Sequence, residues 1–342
     1  MGKIIQGIFP LLYRPIMIFM TVVLICPAFA QADTFYVSPQ GNDDWPGSLE
    51  KPFASLNAAQ RQVKPGASVI VMEGVYPGPI RIDATGTEGA PILFRVADNA
   101  DVVIDGTETE PLADLVILSG HHLIFEGFEV ANAKGSGISL WGTTQVTLRG
   151  NTIHGSQRSG IFVGYSTRDT SKANLIEENI VYGNVLENKD RSMERRWASG
   201  IEISSSDGNI VRGNRSFRNF GEGISVMSSK ETRVETNLFY DNYSVNIYLD
   251  NAQNSEVIDN TAGTSSNTAF FKQGKPAFGA AIADKEAPIA LPSRGNTISG
   301  NVWVGVHGIF VDPALKDAKD ALLRPVRPNI TQPGAIRLQE DL

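Results

Sequence analysis

Short apolar runs recur along this chain at a fixed interval. Segments opening on Gly137 (GISL), Gly160 (GIFV), Gly200 (GIEI), Gly223 (GISV) and Asn246 (NIYL) repeat one pattern, with steps of 23 residues from 137 to 160, 200 to 223 and 223 to 246. The same ruler laid backwards meets apolar runs at Asp114, Pro91 and Ser68, and laid forwards it meets Ala269. The steps 160 to 200 and 269 to 305 are longer by 17 and 13 residues and read as coils carrying inserted loops. Self-similarity at such a period predicts a solenoid of about ten coils, because one repeat cannot bury its own apolar face.

Within each run the apolar residues alternate, as in a strand with one face buried. One residue after each start stand Val69, Ile92, Leu115, Ile138, Ile161, Ile201, Ile224, Ile247 and Phe270; three after stand Val71, Phe94, Ile117, Leu140, Val163, Ile203, Val226 and Leu249. The abundance of β-branched residues favours strands, and the leucine spacing of helical or leucine-rich repeats is missing. A polar column accompanies the beat. Asp105, Asn151, Asn214, Asn237 and Asn260 lie fourteen residues after their starts, with Asn179 and Asn296 in the coils that carry insertions. Asn184, Asn219, Asn242 and Asn301 follow five residues later. Repeated asparagine at a corner predicts a stacked amide ladder.

The ends of such a stack need covers. Residues 52–64 place Phe53, Leu56, Ala59 and Val63 on one helical face before Lys64-Pro65-Gly66, which predicts an amphipathic cap helix. Residues 312–342 are expected to cover the other end, and the loop insertions are expected at about 184–199 and 273–288.

Residues 1–30 stand apart. Lys3 and Arg14 precede an apolar run from Ile16 to Ile25, and Ala28-Phe29-Ala30 has the small-x-small form of a cleavage site. This predicts a signal peptide and a secreted or periplasmic protein, with no membrane span once the leader is removed. The remaining chain, 31–342, reads as one domain and a monomer. It would lack cysteine, since Cys26 lies in the leader, so its fold rests on burial rather than disulfides. Without Lys3 and Arg14 the chain has 28 basic residues against 37 acidic ones, a net charge of about −9, which argues against nucleic acid as a partner.

The stretch Phe35-Tyr36-Val37-Ser38-Pro39-Gln40-Gly41-Asn42-Asp43, with Pro46-Gly47, Lys51-Pro52-Phe53, Gly74-Val75-Tyr76 and Val103-Ile104-Asp105-Gly106, resembles secreted right-handed parallel β-helix proteins of the pectate-lyase type. The resemblance covers about residues 33–312. It implies an all-β fold, a right-handed parallel β-helix, and a polysaccharide partner. It does not carry the chemistry of family 9 pectate lyases over, because fold and site vary independently. Where that family has an Asp-Asp-Gly-Phe-Asp stretch that holds calcium, this chain has Ala198-Ser199-Gly200-Ile201-Glu202, and the next outward positions, Ser225 and Tyr248, supply no lysine. No cofactor is therefore certain, and calcium stays open only without its expected aspartate cluster. The Asp-Pro-His motif of mannuronan epimerases and the paired aspartates of polygalacturonases are missing too.

The outward columns, Ser139, Phe162, Glu202, Ser225, Tyr248 and Trp141, Gly164, Ser204, Met227, Asp250, make a polar face with rings at intervals. Such a face suits sugar rings, although aromatic ladders also stabilise sheets without any ligand. About 12 inserted residues precede Gly200 and contain Lys189, Asp190, Arg191, Glu194, Arg195, Arg196 and Trp197, a basic loop on an acidic protein. The candidate catalytic residues are Glu202, Tyr248 and Arg195. Tyr248 or a lysine would act as base and an arginine would hold a uronate carboxylate. Trp141, Phe162, Ser225, Asp250, Lys189, Arg191, Arg196 and Trp197 are the candidate substrate-binding residues. Glu202 and Asp250, on the order of 12 Å apart by strand geometry, are too distant to chelate one ion. Strand alternation turns Glu222 away from Glu202, Asp207 and Lys230 read as a surface pair, and His121, His122, His154 and His307 show no zinc spacing. Two readings remain: a carbohydrate-active enzyme, lyase-like on uronic-acid glycans, or a non-catalytic glycan-binding or surface-structural solenoid.

Overall fold

The computed structural model describes residues 33–164, 171–193, 197–285, 292–318 and 327–336. The signal-peptide segment, Arg195 and Arg196 lie outside these residues. Three parallel sheets of ten, nine and ten strands run the length of the molecule, each strand paired with those one coil before and after. This is a right-handed parallel β-helix. The nine-stranded front sheet runs from Ile80–Ile82 through Ile138–Trp141, Ser199–Ser204, Glu222–Met227 and Val245–Asp250 to Ile309–Val311. The chain passes from each front strand to a back sheet, for example Thr147–Arg149, then to a flank sheet, for example Thr152–His154, and returns.

The interior is continuous. Val116, Ile138, Ile161, Ile201, Ile224, Ile247 and Ala280 stack in register along the front sheet, as do Leu118, Leu140, Val163, Ile203, Val226, Leu249 and Ile282, and all are buried. No coil closes its own core, so each buries its branched side chains on its neighbours.

The register corrects the ruler at both ends. Val116 and Leu118, rather than Leu115 and Ile117, continue the inward columns, while Val69 and Phe94 stack in the back sheet. At the other end Phe270 is not an inward rung. Residues 268–270 form a single 3-10 turn, and the front strand is Phe278–Ala283, within the range 273–288 expected to be a loop. The extra residues lie on either side of that strand. Its FGAAIA sequence carries too little bulk to stand out beside the aromatic AFF that precedes it.

The asparagine ladder is present, with a changed membership at its two ends. Asn151, Asn179, Asn214, Asn237, Asn260, Asn301 and Asn329 pass carboxamide hydrogen bonds from coil to coil. Asn301, 41 residues beyond Asn260, takes the place expected for Asn296. Asn296 belongs to a second corner, where it accepts from the Ser255 backbone N–H. Asp105 lies outside the ladder, aligned with Ala131 and His154.

The cap helix is shorter than the predicted 52–64. It spans Leu56–Ala59, with the Ser55 hydroxyl accepting from the Ala58 N–H at 3.1 Å. Phe53 bridges to Val37 instead of joining the helix, yet Phe53, Leu56, Ala58 and Ala59 are buried over the first coil. At the far end Pro313–Ala318 forms a 3-10 helix, and Ile330–Gln332 pairs with Val302–Val304 as the last flank strand.

The outer surface of the back sheet is an alternating ladder of charge. Arg149 bridges Glu126 at 3.2 Å and Glu177 at 2.7 Å, Glu177 receives Arg212 at 2.6 Å, and Arg233 joins Glu235 and Glu256. Desolvation opposes ionisation of Glu177, but hydrogen bonds from Arg149 and Arg212 outweigh it and hold its carboxyl below the usual range.

Gly223 shows why coils begin on glycine. A Cβ there would stand 2.6 Å from Asn242 Nδ2 and 2.6 Å from the Asn246 carbonyl oxygen, inside the stack. Gly223→Ala is expected to destabilise the protein by about 1–3 kcal/mol through overpacking, read as a lower denaturant midpoint at unchanged slope.

Candidate functional site

The front sheet sets its outward residues in one file: Arg81, Ile117, Ser139, Phe162, Glu202, Ser225, Tyr248, Ala281 and Phe310. Near one end Trp141 packs against Phe162, ring centroids 4.8 Å apart, and its indole N–H reaches Asp114 at 3.3 Å. Asp114 also accepts from the Ser139 hydroxyl at 2.8 Å. Ser139 is buried, whereas Trp141 is 38% exposed.

At the centre stand two carboxyls. Glu202 accepts from the Ser159 hydroxyl at 2.6 Å. Glu222 shares this face, contrary to the expectation from strand alternation. The Ser199 hydroxyl is 2.8 Å from Ser225 Oγ and 3.4 Å from Glu222 Oε2, so Glu222 stands with Ser225 rather than against it. The cause is the glycine corner. Gly223 turns its missing side chain inward and Ile224 is also inward, and two successive inward positions return Glu222 and Ser225 to the same side. Burial pushes Glu202 above the ordinary carboxyl range, although the Ser159 hydrogen bond and the Arg158 charge oppose it. Burial pushes Glu222 up to about 7, against a hydrogen bond from Trp197 and the charge of Lys272, with Glu202 adding to the rise. Both are carboxylic acids poised toward their neutral form.

Tyr248 is also pushed up by burial and by the charge of Asp250, which keeps the phenol protonated rather than basic. Its hydroxyl donates to Asp250 Oδ2 at 3.2 Å. Asp250 is itself buried and accepts from the Lys285 backbone N–H at 2.6 Å, and Ser225 is buried as well.

The two insertions meet beside this centre. Arg191 donates to the Ala269 carbonyl and lies 5.6 Å over the Phe220 ring, which packs on Phe270 at 5.2 Å. The Lys272 ammonium sits 4.6 Å over Trp197 and 3.3 Å from Ser244 Oγ, while Trp197 meets Tyr243 edge-on at 5.6 Å. Lys189 is exposed at the end of the 3-10 turn Leu186–Asn188. Arg191 and Trp197 thus lean on the second insertion, and Lys272 brings a lysine that the outward columns lack. Asp207 accepts the Lys230 backbone N–H at 2.7 Å, in place of the side-chain pair expected there.

The aspartate cluster expected to hold calcium is missing from this centre. The equivalent of the aspartate cluster is Ala198-Ser199-Gly200-Ile201-Glu202, in which the one carboxyl is held toward neutral. Among the described residues no three His, Cys, Asp or Glu side chains are grouped to hold a metal ion.

Residues 35–280 match the family model described as the Pel9A-like right-handed beta helix region. The chain belongs to the Pel9A-like β-helix family. Two relatives of this Pel9A-like chain are a pectate lyase of Emericella nidulans, 27% identical over 218 residues, and pectate lyase L of Dickeya dadantii, 24% identical over 230 residues. These matches cover 58% and 64% of the chain and 50% and 52% of the relatives, so the chain spans about half the length of these curated proteins. The solved pectate lyase Pel9A superposes with a TM-score of 0.56 at 18% identity, covering 82% of this chain and 78% of that one. An alginate lyase from a Paenibacillus species superposes at 0.68 with 17% identity, covering 89% and 96%. At such identities the superpositions establish the fold.

Proposed function

We propose that this protein is an exported, polysaccharide-acting β-helix whose front face cleaves uronic-acid-containing chains by β-elimination. The observation that carries this reading is the pair Glu202 and Glu222, two recessed carboxyls on one outward face, flanked by Lys272 and the rings of Trp197 and Tyr248. The lyase names of the relatives and the signal-like N-terminal segment support the choice of substrate and export.

In this reaction a proton leaves the carbon next to the uronate carboxylate, the electron pair forms the C=C bond, and the glycosidic C–O bond breaks. The Lys272 ammonium offsets the uronate charge and acidifies that proton. Glu222, tuned to about 7, takes the proton in its ionised form. Glu202, whose carboxyl burial pushes above the ordinary range, gives a proton to the departing oxygen. Ser159 and Ser199 orient the two carboxyls, and Asp250 orients Tyr248.

Incubation with pectate, alginate and chondroitin is expected to release an unsaturated product absorbing in the ultraviolet from at least one of them. Tight binding without any such product from all three would replace the lyase reading with a glycan-binding solenoid.

A further inference from the structure

The front file does not end at the aromatic pair. At its N-terminal end a groove of about 500 Å³ opens between the cap helix and the first front strand, bordered by Asn57, Gln60, Arg61, Arg81, Asp83 and Ile117. Arg81 is the first member of the outward file that leads to Glu202. Both guanidiniums are exposed, and among the described residues neither forms an ion pair. This sets them apart from the arginines of the back sheet, whose charges are matched. Asp83 is the one carboxylate on the border, so the groove carries a net positive charge on an acidic protein.

The groove is also built rather than incidental. Asn57 clamps the cap to the strand: its Oδ1 accepts from the Arg81 N–H at 2.8 Å and its Nδ2 donates to the Pro79 carbonyl at 3.1 Å. That clamp fixes the backbone from which Arg81 projects. Gln60 borders the same space with a carbonyl oxygen, Oε1, that is buried and, among the described residues, meets no donor. Such an acceptor costs free energy until a donor reaches it, and a sugar hydroxyl entering as the Gln60 amide turns outward would supply one. Ile117 adds an apolar surface beside the two charges.

We propose that this groove is a distal subsite that binds an acidic sugar residue of the polysaccharide through its carboxylate, with Arg61 and Arg81 as the anion-binding pair. The proposal rests on the polyuronate reading of the front face and extends it. Four rung steps separate Arg81 from Glu202, about 19 Å at the usual strand spacing, so one chain must run several sugars to occupy both places. Planar guanidiniums suit a carboxylate here because they bind it through paired N–H donors. The subsite would therefore select for chain length and for charge far from the reacting bond.

The test is binding by calorimetry to acidic decasaccharides of galacturonate and of alginate, and to a neutral decasaccharide, in a Glu222→Gln background that prevents turnover. Arg61→Ala/Arg81→Ala is expected to weaken binding of an acidic decasaccharide by about 10- to 100-fold and to flatten its salt dependence. Binding of the corresponding acidic trisaccharide at the centre, and the thermal midpoint, should remain within twofold and a degree or so of the parent. Unchanged decasaccharide affinity in the double arginine variant overturns the subsite, as does loss of neutral and acidic binding alike. Arginine-dependent binding without cleavage by the parent chain would sink the lyase reading and leave the subsite standing. Cleavage that ignores both arginines would do the reverse, and failure of both acidic decasaccharides to bind at all would end both.

Discussion

Glu222→Gln is expected to lower glycan cleavage by about 10²–10⁴-fold, the usual range for loss of a general acid–base group, while making the protein more stable above neutral pH. The two effects share one cause. Glu222 is buried, and its carboxyl is raised from an ordinary 4.5 to about 7. Because the folded state binds the proton more tightly than the unfolded chain, the stabilising contribution is fully present below about 4.5 and is lost as pH rises through about 7. By linkage the loss amounts to about 3 kcal/mol. Glutamine keeps an acceptor for the Trp197 indole and carries no charge to desolvate. Melting curves across pH 4–9 should therefore fall away for the parent and stay flatter for the variant. A variant as pH-sensitive as the parent would move the titration elsewhere on the face, with Glu202 the next carboxyl to test.

Asn237→Leu should cost on the order of 4 kcal/mol or more. The Asn237 carboxamide oxygen accepts from the Asn214 N–H at 2.8 Å and from Asn214 Nδ2 at 3.0 Å, and its Nδ2 donates to the Val211 carbonyl at 2.9 Å and to Asn260 Oδ1 at 3.0 Å. Leucine nearly matches the volume but leaves these partners buried and unmet, at about 1–3 kcal/mol for each group that finds no substitute. That is a large part of the stability of an ordinary domain, so the variant should show a markedly lower denaturant midpoint. A change below about 1 kcal/mol would mean that the corner is solvated and that the ladder is incidental.

The solenoid was legible because inward positions such as Ile201, Ile224 and Ile247 must be apolar whatever the loops do. The register failed where that constraint lapsed. Gly279 and Ala280 fill the interior without a bulky side chain, so the pattern followed Ala269-Phe270-Phe271 instead, and Asn296 was set in the place that Asn301 holds. Lys272 is hidden with it, since the sequence around Ala269 has the look of a rung while residues 268–270 form a 3-10 turn. Glu222 was missed for a more local reason. Alternation assumes one residue per side, and a glycine corner places two successive residues inward. The glycines at 200 and 223 were the available signal: a side chain at either would collide with the neighbouring asparagine corner. Glu202, Tyr248 and Trp197 of the candidate site are legible in the sequence because a regular strand or an obvious insertion delivers them.

The charge ladder on the back sheet bears on how the protein meets a long polyanion. Arg149, Arg212 and Arg233 already hold carboxylates, and an approaching uronate would have to displace Glu177 or Glu256 to reach them. The charges of this ladder are matched in place, whereas among the described residues Arg61, Arg81 and Lys272 form no ion pair with a carboxylate. On the proposed reading, a polyuronate would meet unmatched charge at the front face and matched charge at the back sheet.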